Sequence, residues 1–182
     1  MDLAHQAGRL NKSVEELTNL LAIDEIVDEE LYRSVPEVKS HFQVIKKGEW
    51  RLSSSSFQDP NKQPSLYRKL LCTNPPDSNP PRRGEKHAVF LMLAGQIKQG
   101  AVFIHRTGNP PKQKQIKYEA VVTADRSNGQ DIAHAIVKST PAIEQNKAFD
   151  SLKEILIILA MRHEPAIKPS EEFLCTLPGY SD

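Results

Sequence analysis

Residues 148–162 read AFDSLKEILIILAMR, and this stretch constrains the chain more than any other. Phe149, Leu152, Leu156 and Leu159 recur at helical spacing along one stripe. Ile155, Ile157 and Ile158 widen that stripe almost all the way round. A helix this apolar has to be buried, either in the core or in an interface. Pro165 and Pro169 end it. The apolar run Ile155 to Met161 is far too short to cross a bilayer, so no membrane is expected.

The rest of the chain reads mostly as short strands. Leu3, Ala7 and Leu10 have helical spacing at the N-terminus, and SVEEL opens a second helical stretch with a capping box between Ser13 and Glu16. ELYRSV (30–35) reads as a strand stopped by Pro36, and HFQVIKKGEWRLS (41–53) as a hairpin turning at Lys47-Gly48. SLYRKLLC (65–72) fits a strand or a helical turn. AVFLML and AVFIHR are strand-like runs joined by AGQIKQG, which is long enough for one or two helical turns. IKYEAVVTAD (116–125) and AHAIVKS (133–139) complete the set, with Asn128-Gly129 as the turn between them. TNPPDSNPPRRGEKH (73–87) is a proline-rich loop. The expectation is an α+β fold: a mixed, mostly antiparallel sheet of about five or six strands, with an N-terminal helical segment and the apolar C-terminal helix covering one face. In domain terms, 1–29 is a helical segment, 30–163 the α+β core and 164–182 an irregular tail.

The formal net charge is +1, but charge is unevenly placed. Residues 1–35 carry eight acids against three bases, and residues 82–117 carry eight bases against one acid. Such segregation can steer a partner or pair within the fold. Cys72 and Cys175 match no metal or redox spacing, and MDLAHQAGRL lacks the apolar core of a signal peptide. Their number allows a single disulfide, but together these features predict unbridged thiols in a reducing cytoplasm.

No phosphate loop, dinucleotide fingerprint, zinc spacing or nucleophile elbow occurs, so no cofactor or metal is expected. Candidate chemistry rests on isolated polar residues. Arg33 shares a strand face with Leu31, and a cation there needs an anion or several acceptors; its commoner role is a salt bridge to a nearby acid. Ser53, Ser54, Ser55 and Ser56 follow a hairpin strand between Trp50 and Phe57, where hydroxyls can hold a ligand or simply cap a turn. His134 lies between Ile132 and Ile136 and reads as a general base, a ligand contact or a core histidine bonded to a carbonyl; His105 is similar but closer to a loop. Arg82, Arg83, Lys112 and Lys114 are candidate anion contacts, with only Tyr118 near them for stacking.

LYR (31–33), RLSSSSFQD (51–59) and AHAIV (133–137), in that order, resemble a group of small bacterial proteins of unknown function. These combine an LYR start, an R-x-SS-x-x-F segment and a late P-A-H-A-hydrophobic strand. The chain departs from that pattern at Ile132 and adds helices at both ends. The resemblance implies that Arg33, Arg51, the serine run and His134 belong to one site. More remotely, the chain is similar to ADP-ribosyltransferase-like folds. There Arg33 and Ser53–Ser56 would cradle a nicotinamide dinucleotide and a late glutamate, Glu119 or Glu144, would complete the site.

Three readings follow. The first is a non-catalytic accessory subunit of a bacterial complex, binding a protein partner or itself through the apolar helix and segregated charges. The second is a small ADP-ribosyltransferase-like enzyme or nucleotide binder using Arg33, the serines and His134. The third, less favoured, is nucleic-acid binding through the basic loops.

Overall fold

The computed structural model describes residues 2–72, 86–109, 112–126 and 132–181. Arg82, Arg83 and the Asn128-Gly129 turn lie outside these. The chain runs α1 (Leu3–Arg9), α2 (Val14–Ala22), β1 (Glu25–Ile26), β2 (Glu30–Pro36), β3 (Phe42–Lys46), β4 (Glu49–Leu52), β5 (Ser65–Arg68) and β6 (His87–Leu93). It continues through α3 (Ala94–Gly100), β7 (Val102–Thr107), β8 (Lys114–Ala124), β9 (His134–Thr140), α4 (Asn146–Ala160) and α5 (Glu171–Leu174). This is the α+β mixture that the alternating periods predict.

Every described strand pair is antiparallel. The main sheet has the order β1-β8-β9-β5-β2-β6, with β7 also on β8, making seven strands. Glu119 of β8 faces Val102 on one side and Thr140 of β9 on the other, so β7 lies on the side away from β9. Strands β3 and β4 form a separate hairpin that turns at Gly48, whose φ of 71° suits a residue without a Cβ. Two-residue β1 is hidden in the acidic exit of α2, where no apolar run marks a strand. At SLYRKLLC both readings hold: β5 passes directly into a 3-10 turn over Lys69–Leu71.

The sheet is covered by helices on both faces. On one, Leu31, Val35, Leu66, Phe90, Met92, Val122, Ala135 and Val137 form a continuous core with Phe149, Leu152, Leu156 and Ile157 of α4. On the other, Tyr32 and Val89 cluster with Ala7 of α1, Leu17 of α2 and Leu71. The expectation that both helical segments cover one face is therefore corrected. Alternation along β2 points Leu31 and Val35 one way and Tyr32 the other, and each apolar set takes its own helical layer.

Helix α4 spends its wide apolar surface on this core. Ala148, Phe149, Leu152, Lys153, Leu156, Ile157, Leu159 and Ala160 are all buried, whereas Ile158 remains 54% exposed. The segment after α4 is mostly turns and bends, with one isolated bridge and one short helix. Val89 and Ile167 exchange backbone hydrogen bonds of 2.9 and 3.2 Å on the outer edge of β6. Ser170 caps α5 through the amide of Phe173, and Leu174 and Leu177 bury against the core. Phe173 meets Phe42 edge-on at 5.1 Å, and Phe42 meets Trp50 at 5.6 Å. Cys72 is buried, Cys175 is exposed, and neither is in a disulfide. No described helix is long and apolar enough to cross a membrane.

Candidate functional site

Arg33 leaves β2 on the α4 side of the sheet, beside the buried ring of Phe57. Its Nε and Nη2 donate to the carbonyl of Ser56 at 3.0 and 2.5 Å, and Nη1 donates to the carbonyl of Ser65 at 2.7 Å. The guanidinium carbon lies 5.3 Å from the centre of the Phe57 ring. Burial pushes the Arg33 guanidinium down to about 10. A cation on the Leu31 face needs an anion or several acceptors, and the fold supplies backbone acceptors.

The serines form a folded corner. Residues Ser54–Phe57 make a 3-10 turn. The hydroxyls of Ser53 and Ser55 both donate to the carbonyl of Ser40 and lie 2.8 Å from each other. Ser56 is 1% exposed, and its hydroxyl donates to the carbonyl of Ser53 at 2.7 Å. Ser54 is the one member of the run whose hydroxyl has no hydrogen bond among the described residues. Arg33 and the serines do come together, but through the Ser56 carbonyl rather than through a rim of hydroxyls.

Arg51 points elsewhere. It bonds Gln43 at 3.2 Å and approaches Glu154 of α4 at 3.7 Å. His134 also lies elsewhere. Tyr32 pairs directly with Tyr67, and Tyr67 with His134, so these three share a sheet face while Arg33 occupies the other. The His134 Nδ1 lies 2.8 Å from Asp125 Oδ2, and its ring packs 5.5 Å from Tyr67. Arg33 and His134 do not line a common pocket. Of the two late glutamates, Glu119 faces solvent beside Lys117 at 2.6 Å and Glu144 is exposed. Lys112 and Lys114 are exposed on the β7–β8 hairpin, and Tyr118, four residues along β8 from Lys114, is buried and stacked on Phe103 at 5.2 Å. His105 lies 3.1 Å from Gln145.

Two polar constructions escaped sequence reasoning. Arg68 is fully buried and makes a two-pronged contact with Glu29, Nε to Oε2 at 2.9 Å and Nη2 to Oε1 at 2.5 Å; its Nη1 donates to the Leu20 carbonyl at 2.9 Å. The alternation that puts Arg68 in phase with Leu66 was the available signal. Lys153, inside the apolar stripe of α4, donates to Gln58 at 3.0 Å and pairs with Asp150 at 2.9 Å. Two open depressions flank the Glu29 segment. One, of about 380 Å³, includes Asp28, Glu30, Gln96 and Gln99 in its lining; the other, of about 330 Å³, includes Leu20, Ile23 and Leu70. No cluster of potential metal ligands occurs among the described residues.

A further exposed feature is β7. Its side chains alternate strictly, with Val102, Ile104 and Arg106 facing solvent. Val102 is 42% and Ile104 60% exposed. On the other side of the strand, β8 pairs with it without interruption from Val102–Glu119 to Thr107–Lys114. Among the described residues, no backbone hydrogen bond reaches its outer edge. No protein-family model matches the chain, no curated protein matches it, and no solved structure matches it.

Proposed function

We propose that this chain is a non-catalytic accessory protein that acts by binding another polypeptide, with β7 as the docking strand. The observation that carries this is an edge strand with two exposed β-branched residues, no bulge and no proline. Folded proteins usually protect such an edge, because it offers a ready template for a further strand. The polar candidates argue in the same direction. Arg33 and most of the serine hydroxyls are engaged by internal hydrogen bonds, and Arg33 and His134 lie on opposite faces. Apolar surface on α4, the first candidate for partner binding, is reduced to Ile158.

The test is to isolate the full chain with its bound partner from its own cells and follow amide hydrogen exchange. Amides of β7 should slow in the complex. Ile104→Lys should abolish the complex, while Val14→Lys, at another exposed apolar position, should leave it intact. A complex that survives Ile104→Lys unchanged would remove β7 as the docking strand. Dinucleotide binding that disappears in Arg33→Met would favour the enzyme reading instead.

A further inference from the structure

The geometry points to a second copy of this chain as the partner of β7, paired antiparallel across a two-fold axis at Ile104. This inference rests on the reading of β7 as the docking strand and names its occupant.

The two ends of the main sheet are treated differently. The outer edge of β6 is occupied at Val89 by the chain's own Ile167. At the other end, β1 lies along Glu25–Ile26 against Thr123 and Val122, and β7 is left without a partner among the described residues. Antiparallel pairing of β7 with its own copy uses the same edge on both molecules, so the contact closes on itself as a dimer rather than growing into a filament.

The side chains of β7 are complementary to their own two-fold copy. With Ile104 on the axis, Ile104 of one chain faces Ile104 of the other, and Val102 faces Arg106. Register within the chain places Glu119 beside Val102 and Lys117 beside Ile104. The row that starts at Glu119 therefore runs through Val102 to Arg106 of the second copy. Glu119 and that Arg106 stand two strand spacings apart, about 10 Å. Their side chains can meet over Val102, with the arginine methylenes packed on the valine. Two-fold symmetry gives this ion pair twice. Arg106 has no ion pair among the described residues, whereas Glu119 holds only Lys117. On the opposite face, Phe103 comes beside His105 of the second copy.

Light scattering of the purified full chain should give twice its 20.5 kDa mass, and β7 amides should gain protection as concentration rises. Ile104→Lys puts two lysines face to face on the axis and should weaken the dimer at least about tenfold, with an unchanged far-UV circular dichroism spectrum as the check on folding. The register is read by charge reversal. Arg106→Glu and Glu119→Arg should each weaken the dimer, and the double variant should recover it. A wild-type monomer at all concentrations, with a different protein still lost on Ile104→Lys, overturns the two-copy inference and leaves β7 as the docking strand. A dimer unaffected by Ile104→Lys overturns both. Failure of the double reversal to recover the dimer overturns the register.

Discussion

Removing one partner of the Arg68–Glu29 pair should be among the most damaging single changes to this fold. The side chains of Arg68 and Glu29 are 1% and 7% exposed. In Glu29→Gln the guanidinium stays buried, keeps its bond to the Leu20 carbonyl, and loses its counter-charge. Truncating a buried pair in this way costs about 3–5 kcal/mol. For a chain of this size that lowers the melting temperature by roughly 10 °C. The cost reflects an orphaned charge rather than the worth of the pair, so replacing both residues should recover most of it. Arg68→Met with Glu29→Leu should unfold within about 1–2 kcal/mol of wild type, because apolar groups of similar volume need no counter-charge. The assay is a double-mutant cycle by urea denaturation of wild type, Arg68→Met, Glu29→Leu and the double variant, with Glu29→Gln measured beside them at the same pH and concentration. A Glu29→Gln protein within about 1 kcal/mol of wild type would refute the reasoning, as would a double variant whose loss equals the sum of the single losses.

Other substitutions separate structural from ligand-binding roles. Arg33→Met should cost about 2 kcal/mol in urea unfolding, since the bonds to the Ser56 and Ser65 carbonyls outweigh the recovered cost of burying the cation; a stabilised variant would instead mark Arg33 as a binding residue held at a cost. Ser56→Ala should cost about 1 kcal/mol and Ser54→Ala less than about 0.5, and equal losses would contradict the bonding described for this corner. The backbone amide of Ser13, donating at 2.7 Å, holds the Glu16 carboxyl below its ordinary value of 4.5. A carboxylate lowered in the folded state supports the fold above its unfolded value, and that support is lost as pH falls through the folded one. Exchange protection at the start of α2 should fall in that acid window, and an NMR titration midpoint for Glu16 at or above 4.5 would refute the capping box.

Local order was legible because local rules set it. The capping box at Ser13, the turn at Gly48, the strand ELYRSV and the apolar helix each depend on residues within a few positions of one another. Strand alternation likewise puts Arg33 on the Leu31 face of β2. What bonded to it was not legible, because the Ser56 and Ser65 carbonyls lie 23 and 32 residues away in sequence. Arg68 and Glu29 are separated by 39 positions, so neither predicts the other by spacing.

Only the tertiary structure decided which strands neighbour one another, and with that which faces the candidate residues share. The order LYR, serines, AHAIV suggests one site. Pairing of Tyr32 with Tyr67 and of Tyr67 with His134 instead separates Arg33 from His134, because one step along a pleated strand turns a side chain to the other face. The sequence determined that α4 must be buried, but not that its own sheet would bury nearly all of it. It determined that Val102 and Ile104 alternate with Phe103 and His105. Whether that alternation ends in a core or at an open edge depends on which segments return to cover it. The chain after α4 returns to β6 at Ile167, and β7 remains uncovered among the described residues, because edge capping is a contact between distant parts of the chain.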